Sequence, residues 1–73
     1  MDRAVAENAI AMMIGEIRTR LDQAAGIARA AQVCASEGNI EKAVEIVLDV
    51  EQLGYEASNL LNAASTLNRI SRS

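Results

Sequence analysis

Histidine, proline, tryptophan and phenylalanine are absent from the sequence, and Tyr55 is its only aromatic residue. Without histidine the chain lacks the usual general base, the commonest metal ligand and the Glu-x-x-His pattern of di-iron helical bundles. The sequence therefore predicts no catalytic, cofactor-binding or metal-binding residues, and we expect no enzymatic activity.

Cysteine and long apolar runs are also scarce. Cys34 is the single cysteine, so no internal disulfide can form, which agrees with a reducing cytoplasm. The apolar run AIAMMIG is too short to span a bilayer, and it is flanked by Glu7 and Glu16 in place of a basic leader. We expect a soluble, cytoplasmic protein with no membrane partner. The net charge of −3 gives no electrostatic footprint for general nucleic-acid binding.

Alanine and the aliphatic residues dominate what is present, and they recur at heptad spacing. The 51% apolar fraction is drawn almost entirely from strong and moderate helix formers. In the first half of the chain, column a of the heptad contains Ile14, Leu21, Ala28 and Ala35. Column d contains Ile10, Ile17, Ala24 and Ala31. Column g contains Met13, Ile27 and Cys34, with Arg20 as its polar member. Three apolar columns per heptad are typical of a helix inside a bundle.

The stretch SEGNIEK predicts a turn between two helices. Gly38 can adopt the left-handed conformation that closes a helix, and Asn39 can cap the next one through its side-chain oxygen. We predict a single helical domain over residues 1–73. Helix 1 covers about 3–36, the turn 37–39, and helix 2 about 40–70.

The second helix continues the heptad, with one glycine in it. Its column a contains Ile40, Val47, Gly54 and Leu61. Its column d contains Ala43, Val50, Ala57 and Ala64. Its column g contains Ile46, Leu53, Leu60 and Leu67. The heptad crosses Gly54 without a phase change, which favours a continuous helix, whereas the Gly-Tyr pair is also compatible with a kink or break there.

These patterns predict an all-α antiparallel helical hairpin, with columns a and d between its helices, that dimerises into a four-helix bundle. Column g then forms the predicted dimer interface: Met13, Ile27, Cys34, Ile46, Leu53, Leu60 and Leu67. A row of acids is available to a basic partner: Glu41, Glu45, Asp49 and Glu56.

The function predicted from this architecture is structural or regulatory, through helix–helix association as a homodimer or with another helical protein. One alternative is a three-helix adaptor or small chaperone, broken near Gly54, that binds a peptide or helix of another protein. A further alternative is RNA binding, with Arg3, Arg69 and Arg72 clustered at the open end. The layout resembles the Rop family of plasmid proteins, four-helix bundles built from two hairpins, which implies the same alternative.

The segment GNIEKAVEI resembles the second helix of a tetratricopeptide repeat. Gly38, the triplet Glu41-Lys42-Ala43 and Leu53 stand where that family places similar residues. Cys34 stands where the family has a large residue and Tyr55 where it has proline. A single repeat needs stacked neighbours to fold, so the resemblance implies at most one repeat-like helix pair.

Overall fold

The computed structural model describes residues 2–72, and all of its regular structure is helical. The helices are α1 (Arg3–Ser36), α2 (Ile40–Val47) and α3 (Asp49–Arg72). Helix α1 packs against both α2 and α3, which follow one another as a single bent helix. This is the predicted all-α antiparallel hairpin, with extents of 54 × 14 × 11 Å. Met1 and Ser73, which the one-domain prediction includes, lie outside the described residues.

The turn is held by backbone hydrogen bonds around a left-handed glycine. Gly38 has φ of 85°, and its N–H donates to the carbonyl of Ala35 at 3.0 Å while that of Asn39 donates to Cys34 at 2.9 Å. This pair of bonds is the Schellman motif that closes a helix. The Asn39 side chain then accepts a hydrogen bond from the Lys42 N–H at 3.2 Å. One helix therefore ends and the next begins at the predicted turn.

The second arm is irregular at Leu48, and it is helical through Gly54. The N–H of Glu51 donates to the carbonyl of Leu48 at 3.1 Å, a tightened i to i+3 bond of the 3₁₀ kind. No glycine or proline marks this position. The helix loss around Gly54 that the three-helix alternative requires is absent from α3.

The side chains buried between the arms are small. Among the described residues the buried core consists only of alanines, with exposures from 0% to 8%: Ala6, Ala31, Ala43, Ala57 and Ala64. No side chain in this part of the chain is both large and fully buried. Alanine lets two helix backbones approach closely, but it removes little apolar surface from water.

The arms meet through columns d and g, so the predicted seam was wrong for column a. Ile14, Leu21 and Leu61 of column a are 57%, 53% and 59% exposed, whereas the column g residues Ile27 and Leu53 are half-buried. Column d lies between a and g around a helix, so either neighbour can complete a two-column seam. The direction in which the turn leads α2 back along α1 selects column g.

Candidate functional site

The hairpin has two long faces of different chemistry. Because both arms use columns d and g in their seam and run antiparallel, a two-fold axis perpendicular to the hairpin plane relates them approximately. The two columns a therefore lie on the same side of the hairpin. We call this side the apolar face, defined by Ile14, Leu21, Ala28, Ala35, Ile40, Val47, Gly54 and Leu61.

Both arms contribute side chains to a groove on the apolar face near the turn. Its volume is ≈ 290 Å³, and its lining includes Ala28 and Ala35 from α1 and Ile40 and Val47 from α2. The small α1 side chains form one wall, and the branched α2 side chains rise on the other. Nearly every residue that lines it is apolar, with Gln32 as the exception.

The opposite side, which we call the polar face, is defined by Glu16, Arg20, Gln23, Asp49, Gln52 and Glu56. Arg20 belongs to column g of α1, and its Nε lies 2.9 Å from Oε1 of Glu56 on α3. Its Nη1 lies 2.7 Å from Oε1 of Glu16 on its own helix. Gln52 donates to the second Glu56 oxygen at 3.0 Å. This cluster ties α1 to α3 near the middle of the hairpin.

The cluster shifts the pKa values of its members. The hydrogen bonds from Arg20 to Glu16 and then to Glu56 raise the pKa of the Arg20 guanidinium. The hydrogen bond from Gln52, followed by that from Arg20, lowers the pKa of Glu56 below its ordinary value. Both side chains are partly shielded, with 25% of Arg20 and 38% of Glu56 exposed. Both groups are therefore held in their charged forms within the hairpin.

The residues of the predicted dimer interface are placed between the chain's own arms. All seven predicted interface residues, Met13 to Leu67, are half-buried in the single hairpin. Ile27, Ile46 and Leu53 line a common groove at the edge of the polar face. Whether they also contact a second copy stays a prediction, but column a is the more exposed apolar column.

The four residues of the predicted acidic row have different surroundings. Glu41, Glu45 and Asp49 are exposed, and Glu45 lies 3.7 Å from Lys42. Glu56 is instead bound to Arg20 and Gln52 within the polar face. A basic partner would therefore meet three of the four predicted acids.

The arginines proposed for RNA binding lie at the open end, where the chain also supplies local hydrogen-bond acceptors. Arg3 lies 3.1 Å from the Glu7 carboxylate, and Arg69 donates to the hydroxyl of Thr66 at 3.3 Å. Glu7 thus offsets the charge of Arg3, whereas the hydroxyl partner of Arg69 leaves its positive charge unchanged.

Within residues 2–72, no group of three His, Cys, Asp or Glu side chains is placed to hold a metal ion. Cys34 is a free thiol and is half-buried in the seam. Every buried side-chain nitrogen or oxygen in the same range has a hydrogen-bond partner. None of the described helices contains an apolar segment that could span a lipid bilayer.

Comparisons with known proteins give no family for this chain. No protein-family model, no curated protein and no solved structure matches it. The local resemblance of GNIEKAVEI to a tetratricopeptide repeat therefore gains no support from a family match.

Sequence reasoning missed the contact between Arg20 and Glu56. The signal was present, because Arg20 is the polar member of an otherwise apolar column. In an antiparallel hairpin with its turn at Gly38, position 20 lies level with the region of position 56. A charge that interrupts an inward-facing column indicates an opposite charge across the seam.

Proposed function

We propose that this chain is a non-enzymatic structural or regulatory protein that acts through helix–helix association and forms a homodimer in the cytoplasm. The observation that carries the proposal is the amount of surface that one hairpin leaves in water. The non-enzymatic part rests on the composition, which offers no histidine to act as a base.

The exposed area is larger than that of an ordinary folded monomer. One hairpin exposes 5304 Å², whereas a compact monomer of 7.8 kDa is expected to expose about 4,400 Å². The excess of about 900 Å² is close to the roughly 800 Å² that each partner buries in a standard stable interface. A second copy would therefore remove about as much surface as the hairpin has in excess.

The small core supports the same proposal. Buried alanines contribute little hydrophobic stabilisation, because the transfer free energy scales with the apolar area removed from water. Among residues 2–72, twelve large apolar side chains are instead 40% to 74% exposed. Chains of this size often need oligomerisation to become stable.

The helical adaptor is the second candidate, and the groove near the turn favours it. This groove is lined almost wholly by apolar side chains, as are the sites that accept an amphipathic helix from another protein. In its continuous form the adaptor would be a monomeric hairpin that gains a third helix from its target.

Sedimentation equilibrium on the purified chain tests the proposal. Between roughly 1 and 200 µM, a range that brackets a micromolar dissociation constant, we expect a mass of twice 7.8 kDa together with high helix content by circular dichroism. A well-folded species that stays at the monomer mass over this range would contradict the homodimer. That outcome would favour the adaptor.

A further inference from the structure

We propose that a second copy of this chain docks on the apolar face, with the turns of the two hairpins at the same end of the bundle. This rests on the proposed homodimer and specifies its interface and direction. The polar face, with Arg20 and Glu56, stays on the outside. Each helix then buries column d centrally, column g against its own hairpin arm and column a against the other copy.

The apolar face fits this role better than the other exposed apolar positions. Column a has an apolar residue in every heptad from Ile14 to Leu61, with glycine at position 54. The most exposed large side chains, Met12 at 74% and Tyr55 at 68%, belong to columns that polar residues interrupt. An apolar face that continues along both arms can account for the excess of exposed area over that of an ordinary monomer. Isolated exposed apolar side chains, in contrast, are normal in monomers.

Two face-to-face arrangements are possible for identical hairpins. With the turns at the same end, α1 of one copy lies over the bent second arm of the other. With the turns at opposite ends, α1 lies over α1 and the second arm lies over its own equivalent. Both arrangements have two-fold symmetry and are self-complementary.

Side-chain size chooses between them. Counting outward from the turn, Ala35 lies level with Ile40, Ala28 with Val47, and Leu21 with Gly54. When the turns are together, these positions become large-to-small contacts between the copies. When the turns are opposed, the position of the symmetry axis decides which of these residues meet.

The symmetry axis of the opposed arrangement lies at the middle of the arms when the copies overlap along their full length. The second arm ends at Arg72, so its midpoint lies at Glu56, level with Arg20 in α1. Leu21 and Gly54 are the column a residues nearest this level. Opposed turns therefore set Leu21 against Leu21 and leave Gly54 against Gly54, whereas turns at the same end place each leucine over a glycine. Large side chains that face small ones fill an interface more evenly, so the same-end arrangement follows.

The groove near the turn acquires an occupant in this arrangement. Ala28 and Ala35 form its small wall, and they lie opposite Val47 and Ile40 of the other copy. The branched side chains of one copy therefore pack over the alanines of the other. Because the symmetry repeats the contact, both grooves are filled at once.

Isotope-filtered nuclear Overhauser spectra test the arrangement on the unmodified chain. A dimer mixed from labelled and unlabelled copies reports only contacts between copies. We expect cross-peaks between Ala35 and Ile40 and between Ala28 and Val47. Cross-peaks between Ile14 and Ala28 instead would mean that the turns are opposed, and would overturn the inference while leaving the homodimer intact.

A spin-label distance gives an independent measurement. Glu37→Cys in a Cys34→Ala background places one label at each turn. Turns at the same end predict a separation of about 20 Å, since contacting helices lie about 10 Å apart. Opposed turns predict a separation near the 54 Å length of the hairpin. Sedimentation of the labelled chain checks that it still dimerises, and the filtered spectra decide if this background does not fold.

A pair of charge substitutions tests the face itself. Leu21→Glu places two acids in the interface and should weaken dimerisation about 100-fold or more. Met12→Glu adds the same charge outside the apolar face and should leave the dissociation constant nearly unchanged. Equal effects of the two variants, or a dimer insensitive to Leu21→Glu, would overturn the choice of face. A monomeric wild-type chain would instead remove the homodimer on which the inference rests.

Discussion

The two faces of the hairpin flank the same alanine seam, yet they differ in what they leave to solvent. On the polar face Arg20, Glu56 and Gln52 bind one another across the arms, so their polar groups are satisfied within one chain. On the apolar face Ile14 and Leu21 remain more than half exposed. The difference teaches that the polar face holds one hairpin together, while the apolar face is where a second body would add stability.

The largest effect on stability is expected from a substitution in the alanine seam that both faces share. Ala31 is 5% exposed in column d, so Ala31→Glu would bury an unpaired carboxylate. We expect a loss of at least about 3 kcal/mol of folding free energy, enough to unfold a domain of this size. Circular dichroism of the far-ultraviolet helix signal measures the outcome.

The matched control for this change is its exposed neighbour. Ala30→Glu makes the same substitution on a side chain that is already in water and should alter stability by no more than about 0.5 kcal/mol. Equal losses in both variants would mean that Ala31 is not in the seam.

Two glycines, one on the apolar face and one outside it, give a test with an intermediate effect on stability. An added Cβ at Gly15 or at Gly54 meets nothing within 4 Å in a single hairpin. Replacing a helical glycine with alanine should stabilise by up to about 1 kcal/mol. Gly54 lies on the apolar face opposite Leu21 of the second copy, so Gly54→Ala should raise the midpoint of thermal unfolding less than Gly15→Ala. An equal rise would indicate open space beside Gly54 and argue against the docked second copy.

The smallest effect concerns the polar face and pH. The folded-state pKa of Glu56 is lowered, mainly by Gln52 and then by Arg20, so the stabilisation is present above the unfolded-state value. It is lost as pH falls through the folded-state value. We expect Glu56→Gln to flatten the fall in unfolding midpoint on acidification from pH 5 to pH 3, approximately the range in which a carboxylate protonates.

Glu51→Gln is the control for that experiment. It removes the same charge from the exposed edge of the apolar face, away from Arg20. A Glu56→Gln profile no flatter than that of Glu51→Gln would mean that the cluster does not couple folding to protonation.

Much of the fold was predictable because its signals are local. The heptad spacing predicted both arms, and Gly38 followed by Asn39 predicted the turn, since a left-handed closing residue and a capping side chain act within a few residues. The heptad phase correctly favoured a helix through Gly54. The irregularity at Leu48 was not predictable, because no glycine, proline or capping pattern marks it.

The candidate site was only partly predictable. The three apolar columns indicated two interfaces per helix, which the exposed column a still supports. The hairpin seam uses column g where column a was predicted, because both columns lie beside column d and the spacing of apolar residues does not distinguish them. Arg20 was the available clue, since an arginine in column g has its acid, Glu56, across the seam when column g faces the other arm.

The sequence by itself determined the helices, the turn and the number of apolar columns on each helix, since these follow from spacing and from local backbone preferences. The tertiary structure alone decided which apolar column closes the hairpin and which stays exposed. That choice depends on the direction in which the turn leads the second arm and on the long-range contact between Arg20 and Glu56. Neither is contained in the period of the apolar residues.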